Sequence, residues 1–125
     1  LRPFSSLLLA SVLGAACGPE PTVCSTEARA SLQVTVVNSQ GRAEPGVQVT
    51  YTVDGGPEER ATCTPTPTPD ATCRTWVAGY ERPGHYVVTA TSADGTRRMR
   101  WELEVGSGTC HVATENLTLV LPDPA

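Results

Sequence analysis

Apolar and polar residues alternate along most of the chain from Leu32 onward, and this two-residue period predicts β-strands. In 32–36 and 47–53 every second side chain is apolar, so one face of each strand is suited to a core. The segments 85–91 and 98–105 repeat the pattern. The side chains predicted to face inward are Leu32, Val34, Val36, Val47, Val49, Tyr51, Val53, Tyr86, Val88, Ala90, Met99, Trp101, Leu103 and Val105.

Two more segments complete the series of strands. The segment 73–78 alternates more weakly, with Trp76 as its core residue, and 117–121 is the last strand. Turn-forming residues fill 38–46, and the Asp-Gly pair at 94–95 is typical of a tight turn. Six or seven short strands separated by turns predict an all-β antiparallel sandwich.

Composition and charge agree with one small β-domain. The 125 residues include eleven Gly and eleven Pro, which suit short strands and turns rather than a helical bundle. The formal net charge of −4 argues against nucleic acid as a partner, because neutralising phosphates requires a basic face.

The first residues are typical of an export signal. Arg2 precedes an apolar run at 7–13, and the small residues at 14–16 lead to Cys17. The apolar run is too short to cross a bilayer, for which about 20 residues are needed. We therefore expect 1–16 to be a signal peptide.

The segment Leu13-Gly-Ala-Ala-Cys17 resembles the bacterial lipobox, in which the cysteine is lipidated and becomes the new N-terminus. The resemblance implies a lipid on Cys17, followed by a tether over 17–30. Gly18 after the cysteine implies the outer membrane of a Gram-negative bacterium. The alternative is a soluble secreted protein in which Cys17 is an ordinary thiol.

Lipidation of the first cysteine would leave four others, an even number that suits an oxidising compartment. Four cysteines allow three pairings. Cys63 and Cys73 flank a Pro/Thr-rich stretch within 55–72, and joining them would close its base. Cys24 precedes the first strand and Cys110 precedes the last, so this pair would tie the two ends together. We predict the bonds Cys24–Cys110 and Cys63–Cys73.

The segment 55–72 departs from the strand pattern. It contains four prolines and repeats Thr-Pro three times, which predicts a polyproline-like loop and excludes a central strand. The loop is either a tolerated insertion or an exposed recognition or glycosylation segment.

No motif for catalysis or metal binding is apparent in the sequence. The two histidines lack a recognisable nucleophile motif, and the neighbours Cys110 and His111 should point to opposite sides of an extended chain. We expect no enzymatic activity, no cofactor and no metal. An enzyme would require His85 or His111 to meet acidic groups in a cleft.

The stretch Val34-Thr-Val-Val-Asn-Ser-Gln-Gly-Arg-Ala-Glu-Pro-Gly-Val-Gln-Val49 is similar to the opening of a carboxypeptidase regulatory-like domain. Gly84-His-Tyr-Val-Val-Thr-Ala90 resembles the Gly-x-Tyr-x-Val-x-Ala strand of that family. The resemblance implies a seven-stranded prealbumin-like or Ig-like sandwich, here over 31–122, without catalysis of its own.

These features favour a non-catalytic envelope lipoprotein whose sandwich is a structural or protein-interaction module, with an unidentified envelope protein as partner. The alternative is a module that binds a glycan or small ligand, with Tyr80 in the loop 79–84 as the candidate residue. An exposed row of Trp76, Tyr80 and Tyr86 would favour this alternative.

Overall fold

The computed structural model describes residues 23–65 and 72–125. The predicted signal peptide 1–16 and the predicted lipidation site Cys17 therefore lie outside the described residues. Within them the chain is all-β, as predicted, with no helix and eight strands. The strands are β1 (Ala30–Val37), β2 (Gln48–Val53), β3 (Glu59–Arg60), β4 (Thr62–Cys63), β5 (Thr75–Tyr80), β6 (Gly84–Thr91), β7 (Arg98–Val105) and β8 (Glu115–Val120).

The described strands form two four-stranded sheets that enclose one core. One sheet is mixed, with the order β4-β5-β1-β8, and the other is antiparallel, with the order β3-β2-β6-β7. The prediction of a purely antiparallel sandwich is wrong for the last strand, since β8 runs parallel to β1 from Leu32↔Glu115 to Val37↔Val120. The connection 106–114 carries the chain from one sheet to the other, so no hairpin imposes an antiparallel direction on β8.

The core contains most of the side chains that the alternation placed inward. Buried core residues come from both sheets, and burial of each large apolar side chain contributes about 1.5–3 kcal/mol. The predicted residues that are buried are Leu32, Val34, Val36, Val49, Tyr51, Trp76, Tyr86, Val88, Ala90 and Val105. Four others, Val47, Val53, Met99 and Leu103, are partly buried against this cluster.

The prediction that Trp101 is buried is wrong. Trp101 lies opposite Val88 in the β6–β7 register, so it occupies the inner face as the alternation requires. Its side chain is nevertheless 51% exposed. In the described part of the chain β7 is the edge strand of its sheet, so no further strand of that sheet lies beside the tryptophan.

The segment 55–72 contains more regular structure than a polyproline loop. Its described part forms the two short strands β3 and β4, which pair with β2 and β5 at the edges of opposite sheets. Ala61 lies between them, so the chain changes sheets at this residue. The Thr-Pro repeats at 66–69 lie outside the described residues.

The described cysteines form the bonds Cys24–Cys110 and Cys63–Cys73, with Cα–Cα distances of 5.2 and 6.0 Å. These are the pairings that the sequence favoured. The first bond spans 86 residues and the second spans 10. In the chain-entropy model, closing these loops contributes up to about 4–5 and about 3 kcal/mol, respectively.

A buried hydroxyl and a glycine meet at one end of the core. Tyr86 is fully buried, stacks on Tyr51 at 5.8 Å between ring centroids and donates from its hydroxyl to the Arg82 carbonyl at 2.6 Å. Gly79 has φ of +74°, and a Cβ there would lie 2.7 Å from the Tyr86 hydroxyl oxygen. Glycine is required at position 79 for both reasons.

The opposite end of the sandwich is held by an ion pair between two loops. Arg97 contacts both carboxylate oxygens of Glu44 at 3.1 and 2.5 Å, and it also donates to the Pro122 carbonyl at 3.2 Å. This pairing raises the pKa of Arg97 and lowers that of Glu44, mainly through their hydrogen bonds. The turn after β6 is thereby fixed to the loop between β1 and β2.

We predict that Gly79→Ala destabilises the domain more than Gly41→Ala. Gly41 has a similar φ of +77°, but a Cβ there meets no atom within 4 Å. Gly41→Ala therefore measures backbone strain alone, about 1–2 kcal/mol. Gly79→Ala adds overpacking against the core, which is worth about 1–3 kcal/mol more. Urea unfolding measures both, and equal losses would contradict the close approach to Tyr86.

Candidate functional site

A polar cluster at one end of the sandwich surrounds the glutamate that follows β5. Three segments meet there: the chain before β1, the turn between β5 and β6, and the connection between β7 and β8. We call this group the Glu81 cluster, and its members are Ser25, Arg29, Glu81, His111 and Val112. The bond between Cys24 and Cys110 lies directly beside it along the chain.

The Glu81 carboxylate accepts main-chain hydrogen bonds from two distant segments. Oε1 accepts from the Arg29 amide at 2.8 Å, and Oε2 accepts from the Val112 amide at 2.9 Å. The bond from Val112 is the main cause of the lowered pKa of Glu81. Glu81 has φ of +50°, an uncommon conformation for a residue other than glycine. Its own amide donates to the Arg29 carbonyl at 3.0 Å, which fixes the residue further.

His111 joins the carboxylate to a serine hydroxyl. Its Nδ1 lies 2.5 Å from Oε1 of Glu81, and its Nε2 lies 3.0 Å from Oγ of Ser25. A neutral imidazole that donates from Nδ1 to the carboxylate presents Nε2 as an acceptor for the hydroxyl. Hydroxyl, imidazole and carboxylate follow one another in the same order as the nucleophile, base and orienting acid of serine hydrolases.

Catalysis by such a triad also requires a substrate cleft and donors for an oxyanion. Cavities of about 220 and 310 Å³ lie among the described residues. The first lies beside the Cys63–Cys73 bond, and the second lies on the outer face of the antiparallel sheet around Thr50 and Thr89. Neither is lined by a member of the Glu81 cluster. The contacts of the cluster are those of a structural clamp.

His85 also meets acidic groups, on the outer face of the antiparallel sheet. Its Nδ1 lies 2.5 Å from Oε1 of Glu104, and its Nε2 lies 3.4 Å from Oε2 of Glu102. The hydrogen bond to Glu104 is the main cause of the raised pKa of His85. All three side chains are at least 40% exposed, so they form a solvated face rather than a cleft.

The aromatic residues named from the sequence do not form an exposed row. Tyr80 is 50% exposed at the end of β5, whereas Trp76 and Tyr86 are buried. Tyr80 is thus the exposed member of this set, and the condition that would have favoured glycan binding is not met.

No pattern in the sequence identifies Ser25 or Glu81 as members of a site. Glu81 lies in the predicted loop 79–84, and no local pattern distinguishes it from the other glutamates. Its partners Arg29 and Val112 lie 52 and 31 residues away along the chain. The adjacency of Cys110 and His111 is a signal that the sequence does contain, because a disulfide at Cys110 fixes the position of the neighbouring histidine.

Comparison with known proteins found no match to a family model, to a curated protein or to a solved structure. Within 23–65 and 72–125, no group of three or more His, Cys, Asp or Glu side chains is arranged to hold a metal ion. Those same residues include no helix of the length and apolarity that a membrane span requires.

We predict that Glu81→Ala loosens the connection between β7 and β8 because the Val112 amide loses its acceptor. Hydrogen exchange at Val112 should become roughly tenfold faster or more. Glu58→Ala is the matched control, since Glu58 is an exposed loop glutamate. Unchanged exchange at Val112 in Glu81→Ala would contradict the clamp.

We predict that the stabilising contribution of His85 depends on pH. Because its pKa is raised above the ordinary value of 6.5, the charged pair with Glu104 stabilises the fold fully below about pH 6.5. That contribution is lost as the pH rises through the raised pKa of the folded state. His85→Asn should therefore lower the melting temperature at about pH 5 and have little effect at about pH 9. A larger loss at the alkaline pH would contradict the pairing.

Proposed function

We propose that this protein is a non-catalytic cell-envelope lipoprotein that displays its β-sandwich as a structural or protein-interaction module. The observation that carries the proposal is the position of the first disulfide relative to the lipobox-like cysteine. Six residues lie between Cys17 and Cys24, so a fully extended spacer reaches roughly 25 Å. A lipid on Cys17 would hold the domain close to a membrane surface.

The same geometry gives the proposed module an orientation. Cys24 is bonded to Cys110 beside the Glu81 cluster, so the spacer would join the domain at that end. The opposite end carries the loops joined by Arg97 and Glu44. In this arrangement the Glu81 cluster faces the membrane and the Arg97 end faces away from it.

We further propose a prealbumin-like sandwich related to carboxypeptidase regulatory-like domains. Support for this proposal comes from the elements on which the residues of the resemblance lie. The stretch 34–49 covers most of β1, the turn after it and the start of β2, and 84–90 lies on β6. The described chain differs from the expected count of seven strands because the segment after β2 forms two short edge strands.

The order of groups in the Glu81 cluster makes an esterase the second candidate function. The clamp interpretation is favoured because neither of the two cavities described above is lined by a member of the Glu81 cluster. A glycan-binding module has weaker support than the esterase, because Tyr80 is the exposed residue among the three aromatic side chains of its candidate row.

The anchor is tested by fatty-acid labelling and fractionation in a bacterial host. Wild-type protein should incorporate labelled fatty acid and sediment with membranes, and globomycin should block its processing. Cys17→Ala should lose the label and move to the soluble fraction. Membrane association that persists in Cys17→Ala would contradict lipid anchoring.

The absence of catalysis is tested with an activated ester. We expect wild-type protein and Ser25→Ala to hydrolyse p-nitrophenyl acetate at the same slow rate, and neither to be labelled by a fluorophosphonate. Labelling of wild-type protein that Ser25→Ala abolishes would replace the proposal by the esterase.

A further inference from the structure

The edge strand β7 has a free side and an incompletely covered inner face. In the described part of the antiparallel sheet, β7 pairs with β6 and has no strand on its other side. Such an edge offers a row of main-chain donors and acceptors for pairing with another strand. On its inner face, Trp101 is half-exposed, and Met99 and Leu103 are only partly buried.

The outer face of β7 is charged in two halves of opposite sign. Arg98 and Arg100 lie on one side of Trp101, and Glu102 and Glu104 lie on the other, all four exposed. The pattern is antisymmetric about Trp101, because each arginine has a glutamate at the same distance on the other side. A strand of this kind is complementary to a second copy of itself that runs in the opposite direction.

We propose that two copies of this chain pair through β7, antiparallel, with the two Trp101 residues opposite each other on a two-fold axis. Directly opposite residues in antiparallel strands interact, and oppositely charged or apolar pairs are stabilising. This register places Arg98 opposite Glu104 and Arg100 opposite Glu102, each twice by symmetry. On the inner face, Met99 lies opposite Leu103, so the exposed apolar side chains cover one another.

The charges select this register over its neighbours. A shift of two residues in one direction places Arg100 opposite Arg100, and a shift in the other direction places Glu102 opposite Glu102. Both place like charges together on the two-fold axis, which destabilises the pairing. A shift of one residue turns the inner face of one copy toward the outer face of the other and exposes both apolar rows.

The charged groups remain available for this pairing. Within one copy, Arg100 contacts Glu102 at 2.7 Å, and His85 contacts Glu102 and Glu104. These side chains are exposed, so their contacts within one copy are weak and can be shared with a second copy. One eight-residue strand forms only a small interface, so the dimer dissociates readily on dilution.

Analytical ultracentrifugation of the full chain tests the proposal with charge-reversal variants. Wild-type protein should self-associate as its concentration rises. R100E and E102R should each weaken dimerisation roughly tenfold or more, because each places like charges opposite each other at two symmetric positions. R42E is the matched control for R100E, since Arg42 lies in the loop after β1 and undergoes the same change of charge, whereas E102R changes the net charge in the opposite direction. Association through another part of the chain would respond equally to R100E and R42E, and an effect of net charge alone would have opposite signs in R100E and E102R.

Mixing the two weakened variants tests the register. In a pair formed by R100E and E102R, each altered residue lies opposite its complement, so the mixture should associate more tightly than either variant alone. The double variant R100E/E102R should likewise regain wild-type dimerisation. Circular dichroism checks that each variant is folded.

Three outcomes would overturn the proposal. Wild-type protein that stays monomeric at every concentration would exclude self-pairing through β7. Dimerisation equally strong in R100E, E102R and R42E would place the contact elsewhere. A mixture no tighter than its components would exclude the register centred on Trp101.

Discussion

Burial of the alternating apolar side chains between the two sheets is the interaction on which the rest of this domain depends. Each sheet has one face suited to a core, so neither sheet is stable until the other covers it. Leu32 and Val34 of one sheet and Tyr86 and Val88 of the other are fully buried in the same cluster. The polar contacts at the ends of the sandwich follow from this packing, since it brings together loops that are distant along the chain. Within the described residues, no buried side-chain nitrogen or oxygen lacks a hydrogen-bond partner.

At both ends of the sandwich, polar contacts hold together the loops that the packing of the core brings close to one another. At one end, the Glu81 carboxylate satisfies amides from the chain before β1 and from the connection to β8, and a disulfide joins the same two segments. At the other end, Arg97 and Glu44 hold two turns together. The Glu81 cluster resembles a catalytic triad in the order of its groups, but its contacts are explained by the need to fix three converging segments. These contacts fit the structural clamp on which the proposed function rests.

The strands and most of the core residues could be predicted from the sequence, whereas the pairing of the strands and the contacts between distant loops could not. The two-residue period identified six strands and most inward residues, because side-chain direction in a strand is a local property. The parallel pairing of β8 with β1 depends on where the chain crosses between sheets, which alternation does not encode. The same limit applies to Trp101: alternation placed it correctly on the inner face, but it could not show that β7 is an edge strand and that the side chain is half-exposed. Glu81 was missed because both of its main-chain partners are more than 30 residues away.

The proposed interaction role depends on the half-exposed Trp101 on the inner face of β7. The fluorescence of Trp101 tests most directly whether a second copy covers this side chain. In Trp76→Phe the remaining tryptophan is Trp101, so its emission can be followed as the protein concentration is raised. We predict the long-wavelength, acrylamide-quenchable emission of a hydrated indole in dilute solution, and a shift to shorter wavelength with protection from quenching as copies pair. Short-wavelength, protected emission at every concentration would show that one copy already covers Trp101. Long-wavelength emission at every concentration would show that β7 does not pair with itself.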